Sequence, residues 1–196
     1  MNEIQRLEAE LYERSLKLAA LRKEAPLKEV KNYSLKDLGG DVTLLELFGD
    51  KKELLAIHNM GQGCRYCTLW ADGFNGLVPH LEDRVALALF SKDPPELQRT
   101  FANSRGWRFR MVSHGGGDYI REQSVGAEGN MPGVVCYVRD GNKIFRKNSS
   151  QFGPGDQYAP IWPLLSLAGV GTDDWTPQYN YWSRPKTMDD GGQNVR

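Results

Sequence analysis

Residues 61–81 read GQGCRYCTLWADGFNGLVPHL and hold two of the three cysteines of this 196-residue chain, Cys64 and Cys67, in a CxxC. A pair at this spacing is a redox dithiol, half of a metal site, or two unrelated thiols, and its surroundings choose between them. Upstream, ELLAIHNM (residues 53–60) is a continuous apolar run of strand length, as in a strand buried on both faces. Downstream, residues 68–81 suit a helix that Gly73, Gly76 and Pro79 weaken or kink. The pair therefore stands at a strand-to-helix junction. There the unpaired N–H groups and partial positive charge of a helix start depress a thiol pKa. On that logic Cys64 is the attacking thiolate and Cys67, one turn later, is the resolving thiol. Arg65, between them, either favours the thiolate or points into water.

Composition narrows the setting. Lysine plus arginine equals aspartate plus glutamate at 25 each, which supplies no basic face for nucleic acid and no attraction to an anionic membrane. No run approaches the roughly 18 apolar residues of a spanning helix. The N-terminus is charged throughout and lacks a secretory h-region. A cytoplasmic protein is expected, where standing disulfides are rare and a CxxC is catalytic or metal-binding. Three cysteines is also an odd number for a disulfide framework.

Three segments are expected. Residues 1–26 form an amphipathic helix with Ile4, Leu7, Leu11, Leu18 and Leu21 at three- and four-residue steps, interrupted by Arg14 and stopped by Pro26. It packs on the side of the domain or pairs with a second copy. Residues 27–170 form an α/β domain. It begins with a hinge-like stretch, then VTLLELFGDKK as a strand and a short helical turn, then the buried strand and the CxxC. RVALALFSK and FRMVSH read as strands, and PELQRTFANSR as a helix with Leu97 and Phe101 inward. GGGDY reads as a turn and REQSVGAEGN as a loop. MPGVVCYVRDGNKIFRKN is a hairpin about Asp140-Gly141, and residues 159–168 are a short helix. Residues 171–196 form an arm with Trp175, Tyr179, Tyr181 and Trp182, ending in a disordered tail. The arm either wraps over its own domain or meets a partner or second subunit.

The order strand, CxxC, helix, then Pro132 before a strand and tight turn, resembles thioredoxin. The resemblance implies a three-layer sandwich with a central mixed sheet, flanking helices and a cis Met131-Pro132 bond whose edge faces the dithiol. VTLLELFGDKKELLAIHNM is similar to the entry strand of peroxiredoxin-type relatives. More closely, Cys64, Cys67, Trp70, Asp72, Phe74, Asn75, Gly76, His80 and Leu81 fit the signature of a bacterial thioredoxin-like family of unknown function, DUF899, and the likeness runs from about Val30 to Trp182. Two departures stand out. Gly63 precedes the pair and Arg65-Tyr66 fill it, where thioredoxin has Trp before and Gly-Pro within, so thioredoxin's redox poise does not carry over. The proline and threonine before a peroxidatic cysteine are missing.

The expected activity is thiol–disulfide exchange on a protein or small-molecule disulfide, with an unidentified electron donor and no cofactor. Met131, Pro132 and Trp70 are candidate substrate contacts. A thiol peroxidase and a non-catalytic binding module are the alternatives. Asp72 either takes a proton from a thiol or caps a turn. Cys136 reads as a buried, inert thiol. His58 reads as a hydrogen-bonded strand residue, His80 as structural and His114 as a loop residue near the dithiol. Zinc on the two cysteines would need these scattered histidines, since a second CxxC or an HxxxH is absent.

Overall fold

The computed structural model describes residues 2–127 and 129–181. The first helix, α1, spans Glu3–Lys23. Asn2 starts it with a reciprocal cap: its Oδ1 accepts from the Gln5 N–H at 2.9 Å, and its own N–H donates to Gln5 Oε1 at 3.0 Å. Three short strands follow, β1 (Lys28–Val30), β2 (Ser34–Asp37) and β3 (Gly40–Thr43), then a single 3-10 turn at Glu46–Phe48. The central elements are β4 (Glu53–His58), α2 (Arg65–Asn75), α3 (Val78–Arg84), β5 (Ala86–Ser91), α4 (Pro95–Arg105) and β6 (Arg110–Ser113). After α5 (Asp118–Gln123) come the hairpin strands β7 (Gly133–Asp140) and β8 (Lys143–Gln151), and then α6 (Ile161–Leu167).

One eight-stranded sheet runs in the order β1-β8-β7-β4-β5-β6-β2-β3. Strands β4, β5 and β6 are mutually parallel, as the helices between them require, and the other pairings are antiparallel. Alternation along the strands divides the core in two. Leu54, Ala56, Ala88, Phe90, Val135 and Tyr137 face one layer, with Phe48 and the α5 residues Tyr119 and Ile120. Ile57, Leu87 and Leu89 face the other, with Trp70 and Phe74 of α2, Ala102 of α4 and Trp162 of α6. The chain is thus the expected three-layer thioredoxin-like α/β sandwich. Among the described residues, no helix is long and apolar enough to cross a membrane.

Several expectations change. No α1 side chain is buried, so the helix does not pack along the domain. Among the described residues, only its last turn is tied down, where Arg22 Nη2 donates to the Tyr158 hydroxyl at 2.8 Å and Asn148 Nδ2 donates to the Arg22 carbonyl at 2.9 Å. The hinge-like stretch, from residue 32, holds β2, which is laddered with β3 over four residues and meets β6 at Lys36–Ser113; β1, just before it, is laddered on β8. The broken helix is two helices, α2 and α3. In α4 the fully buried residues are Gln98 and Ala102; Phe101 is half-buried against the second core layer, as expected, whereas Leu97 is exposed. Gln98 Nε2 reaches the Val112 carbonyl at 3.1 Å and the Asp93 carbonyl at 2.8 Å, which accounts for a polar residue at an inward position. The glycine turn and polar loop contain α5. The described part of the arm lies on its own domain, with Trp175 edge-on to Trp162 and Tyr179 edge-on to Phe101. Trp182 and the expected disordered tail lie outside the described residues.

A polar ladder crosses the first core layer. His58 Nε2 is 2.8 Å from the Tyr119 hydroxyl, which the Tyr137 hydroxyl approaches at 3.3 Å. Gln123 Nε2 donates to Tyr33 at 2.8 Å, and the Tyr33 hydroxyl donates to Glu122 at 2.8 Å. Burial pushes the pKa of His58 down to about 3 and that of His114 down to about 4. In the unfolded chain a histidine protonates near 6.5. Below that pH the unfolded state binds more protons, so stability is complete above about 6.5 and is lost as pH falls toward the folded values.

We expect the urea unfolding free energy to drop by about 1.4 kcal/mol per pH unit for each of these histidines between pH ~6 and ~5, above most carboxylate titration. His58→Gln should remove about half of that slope; an unchanged slope would mean that His58 is not buried neutral. A second expectation concerns Gly133, the first residue of β7. A Cβ there would run into the Ser150 carbonyl oxygen and the Val125 side chain, so Gly133→Ala should cost about 1–3 kcal/mol in the same measurement.

Candidate functional site

Strand β4 is hydrogen-bonded on both edges, to β5 and β7, and delivers the chain to the end of the sheet at His58. The next five residues are stitched down by two side chains. Asn59 Oδ1 accepts from the Gly61 N–H at 2.8 Å, while its Nδ2 lies 3.4 Å from the Cys67 carbonyl. Asp93, beyond β5, accepts from the Gln62 N–H at 2.8 Å. Gly61 sits at φ +114°, and a Cβ on it would lie 2.7 Å from the Asp93 carboxylate, so the close approach and the backbone both call for glycine.

Helix α2 then begins with Cys64 as its N-cap. The cap residue is extended (φ −101°, ψ 103°), and its Sγ accepts from the Cys67 N–H at 3.0 Å. The Thr68 hydroxyl donates to the Cys64 carbonyl at 3.0 Å. A sulfur thus takes the place that a serine or aspartate oxygen usually holds at a helix start, facing orphan N–H donors. The two cysteines form a disulfide with Cα atoms 5.2 Å apart. Their exposures differ: Cys64 is half-buried, and Cys67 is 2% exposed.

The dipeptide between them has a structural role on one side. The Tyr66 ring stacks on Trp162 of α6, with centroids 6.3 Å apart, and packs against Trp70 at 6.2 Å. Trp70 in turn meets Phe152 at 5.3 Å. Trp70 is only 2% exposed, which corrects its expected place beside a substrate: it is part of the layer beneath the dithiol helix. Asp72 neither faces a thiol nor caps a turn. Its carboxylate takes a two-pronged ion pair from Arg105 and a 2.7 Å hydrogen bond from Trp107 Nε1, joining α2 to the end of α4. The Asp72 contact raises the Arg105 pKa further, and Arg105 Nη1 also holds the Tyr179 carbonyl of the arm at 2.9 Å.

Pro132 and Met131 stand just before β7. The β4–β7 register sets Gly133 opposite His58, so Pro132 arrives at the end of the sheet from which the CxxC loop leaves. Pro132 is buried and Met131 half-buried; the Pro132 carbonyl accepts from the Phe152 N–H at 2.9 Å. His58 is hydrogen-bonded as expected. His80 is exposed on α3, and His114 lies against Tyr119 in the opposite layer from α2. Cys136 is a free, half-buried thiol whose pKa is raised by burial. Among the described residues, no three His, Cys, Asp or Glu side chains are grouped to hold a metal ion. The sequence reading missed Asn59, Asp93, Arg105 and Trp162. Only Asn59, an Asx residue before Gly-Gln-Gly, carried a local signal.

Arg105 ties α4, α2 and the arm together, so its loss should act at a distance. We expect Arg105→Ala to cost about 2–3 kcal/mol of stability, since it leaves the part-buried Asp72 without its charge partner. It should also speed proteolysis within residues 171–181. Cleavage of that segment at the native rate would show that Arg105 does not hold it.

No functionally curated protein matches the chain in sequence. Among solved structures it is similar to the peroxidoxin BcpB from Mycobacterium tuberculosis, at 22% identity and a TM-score of 0.55, over 74% of this chain and 97% of that one. Peroxiredoxin Q of Xanthomonas campestris aligns at 17% identity and a TM-score of 0.54, over 69% and 90%. AhpC of Enterococcus faecalis aligns at 13% and 0.53, over 73% and 91%. At these identities the likeness is one of fold. The model of a family described as bacterial protein of unknown function (DUF899) matches residues 2–187. The chain therefore belongs to the DUF899 family, on a thioredoxin-like scaffold shared with peroxiredoxins.

Proposed function

We propose that the Cys64–Cys67 pair carries out thiol–disulfide exchange, with Cys64 attacking and Cys67 resolving. The observation that carries this reading is the difference in exposure within one bridged pair at a helix start: Cys64 is reachable and Cys67 is covered. In the reduced protein the Cys64 thiolate attacks one sulfur of a substrate disulfide, and the other sulfur leaves as a thiolate that takes up a proton. The Cys67 thiolate then attacks Cys64 Sγ, expels the second substrate thiol and closes the intramolecular disulfide. Two electrons pass from the dithiol to the substrate, and an external dithiol or thiol must restore the pair. An extended substrate would lie along the Met131-Pro132 edge, which ends beside the loop. Such a cycle suits the cytoplasm, where thiol reductants are available.

The fold likeness to peroxiredoxins favours a second reading on the same sulfurs. Here Cys64 attacks a peroxide oxygen, becomes a sulfenic acid and releases water or an alcohol. The Cys67 thiol then condenses with it and releases water.

Both readings are tested with purified protein, dithiothreitol, and either insulin or hydrogen peroxide. Insulin reduction should fall by about two orders of magnitude or more in Cys64→Ser. Cys67→Ser, reduced and then freed of dithiothreitol, should stall on insulin as a mixed disulfide visible by intact mass. Peroxide consumption without insulin reduction would replace the first reading with the second. A Cys64→Ser protein as active as the native chain on both substrates would end both.

A further inference from the structure

Helix α1 is complete in itself, and apart from its anchored last turn it stays outside the core of its own domain. It has 21 residues, about 31 Å at 1.5 Å per residue, and none of its side chains is buried. Helices in water draw most of their stability from packing an apolar face, and α1 has such a face left over. Ile4, Leu7, Leu11, Leu18 and Leu21 are all exposed, Ile4 at 68% and Leu11 at 67%. With Arg14 they follow steps of three, four, three, four and three, which is the a/d seam of a three-heptad coiled coil. Tyr12 and Leu16 lie off that seam, on the far flank.

The charge distribution identifies what covers the seam. Residues 3–13 carry Glu3, Glu8, Glu10 and Glu13 against a single Arg6, whereas residues 14–23 carry Arg14, Lys17, Arg22 and Lys23 and no acid. The acidic half of one α1 is therefore complementary to the basic half of another, provided that the two run in opposite directions. The seam has the same property, because it is symmetric about its midpoint. Turned end for end, it places Ile4 opposite the partner's Leu21, Leu7 opposite the partner's Leu18, and Leu11 opposite the partner's Arg14. The flanking positions then bring Glu10 to the partner's Lys17, twice by symmetry. A parallel pair loses this match and sets like charges side by side.

We infer that α1 is a homodimerisation helix, and that its occupant is α1 of a second copy in an antiparallel two-helix pair. Arg14 is the one polar residue on the seam, and it fixes the register at some expense of stability, as single polar seam residues do. The anchorage of the last turn on Tyr158 and Asn148 fits this arrangement. Each domain is held at the foot of its own helix, so the two domains lie at opposite ends of the pair and do not collide. The two-fold is isologous and closed, so assembly stops at two chains.

Sedimentation velocity on the full chain across the micromolar range tests this. The expected mass is twice the 22.1 kDa of one chain. Leu11→Lys should give the monomer mass. Glu10→Lys, which sets two lysines together at both symmetric positions, should weaken dimerisation about tenfold or more. The double variant Glu10→Lys with Lys17→Glu should restore it, because the charges are exchanged and the antiparallel match returns. All these sites are exposed, and an unchanged thermal transition of the domain would confirm that each variant folds. A native chain that stays monomeric throughout would overturn the proposal. So would a dimer indifferent to Leu11→Lys, or a charge swap that fails to rescue the single variant.

Discussion

The arrangement at the dithiol depends on β4 being buried on both faces and hydrogen-bonded on both edges. A strand in that position has no freedom to slide: a shift of one residue would exchange Leu54 and Ala56 with Leu55 and Ile57 between two different core layers. The end of β4 is thereby fixed in space, and with it the point where the CxxC loop emerges. Pairing with β7 brings Gly133, and so Pro132, to that same end. Pairing with β5 brings Asp93 close enough to hold the loop backbone. Three segments distant in sequence meet because one strand cannot move.

On that base the backbone of the first helical turn meets the sulfur directly. The Cys64 sulfur receives the Cys67 N–H of the first turn, and Thr68 and Asn59 occupy the adjacent carbonyls. Beneath the turn, Tyr66, Trp70, Phe152 and Trp162 form an aromatic floor that holds α2 against the sheet. The same floor explains why a tyrosine stands between the cysteines. Its ring packs inward on α6, and the exposed face of the pair is left to Cys64.

Much of this was legible in the sequence because it is local. The apolar run of β4, the CxxC, the break at Gly76 with Pro79 in the first turn of the next helix, and the Asp140-Gly141 hairpin each depend on a few neighbouring residues. What stayed hidden depends on partners far away. Strands β1 and β2 are too short to show alternation: β1 exists because β8 offers an edge, and β2 because it pairs with β3 and joins the sheet where Lys36 meets Ser113 of β6. Helix α5 is six residues long and is preceded by three glycines. Leu97 and Gln98 exchange expected places because Gln98 finds two backbone carbonyls, of Asp93 and Val112, and the Ser91 hydroxyl. Asp72 looks like a candidate proton acceptor until Arg105 and Trp107, more than thirty positions later, are brought against it. Trp70 illustrates the same limit: an aromatic next to a dithiol reads equally well as groove wall or floor, and only packing separates the two.

The central claim is that the two sulfurs of the pair are unequal, one open to a partner and one closed. Timed alkylation of the reduced protein, read by peptide mass spectrometry, measures this directly. Cys64 should be labelled first, with Cys67 and Cys136 well behind. Labelling of Cys67 or Cys136 at the rate of Cys64 or faster would contradict the assignment of Cys64 as the attacking thiol.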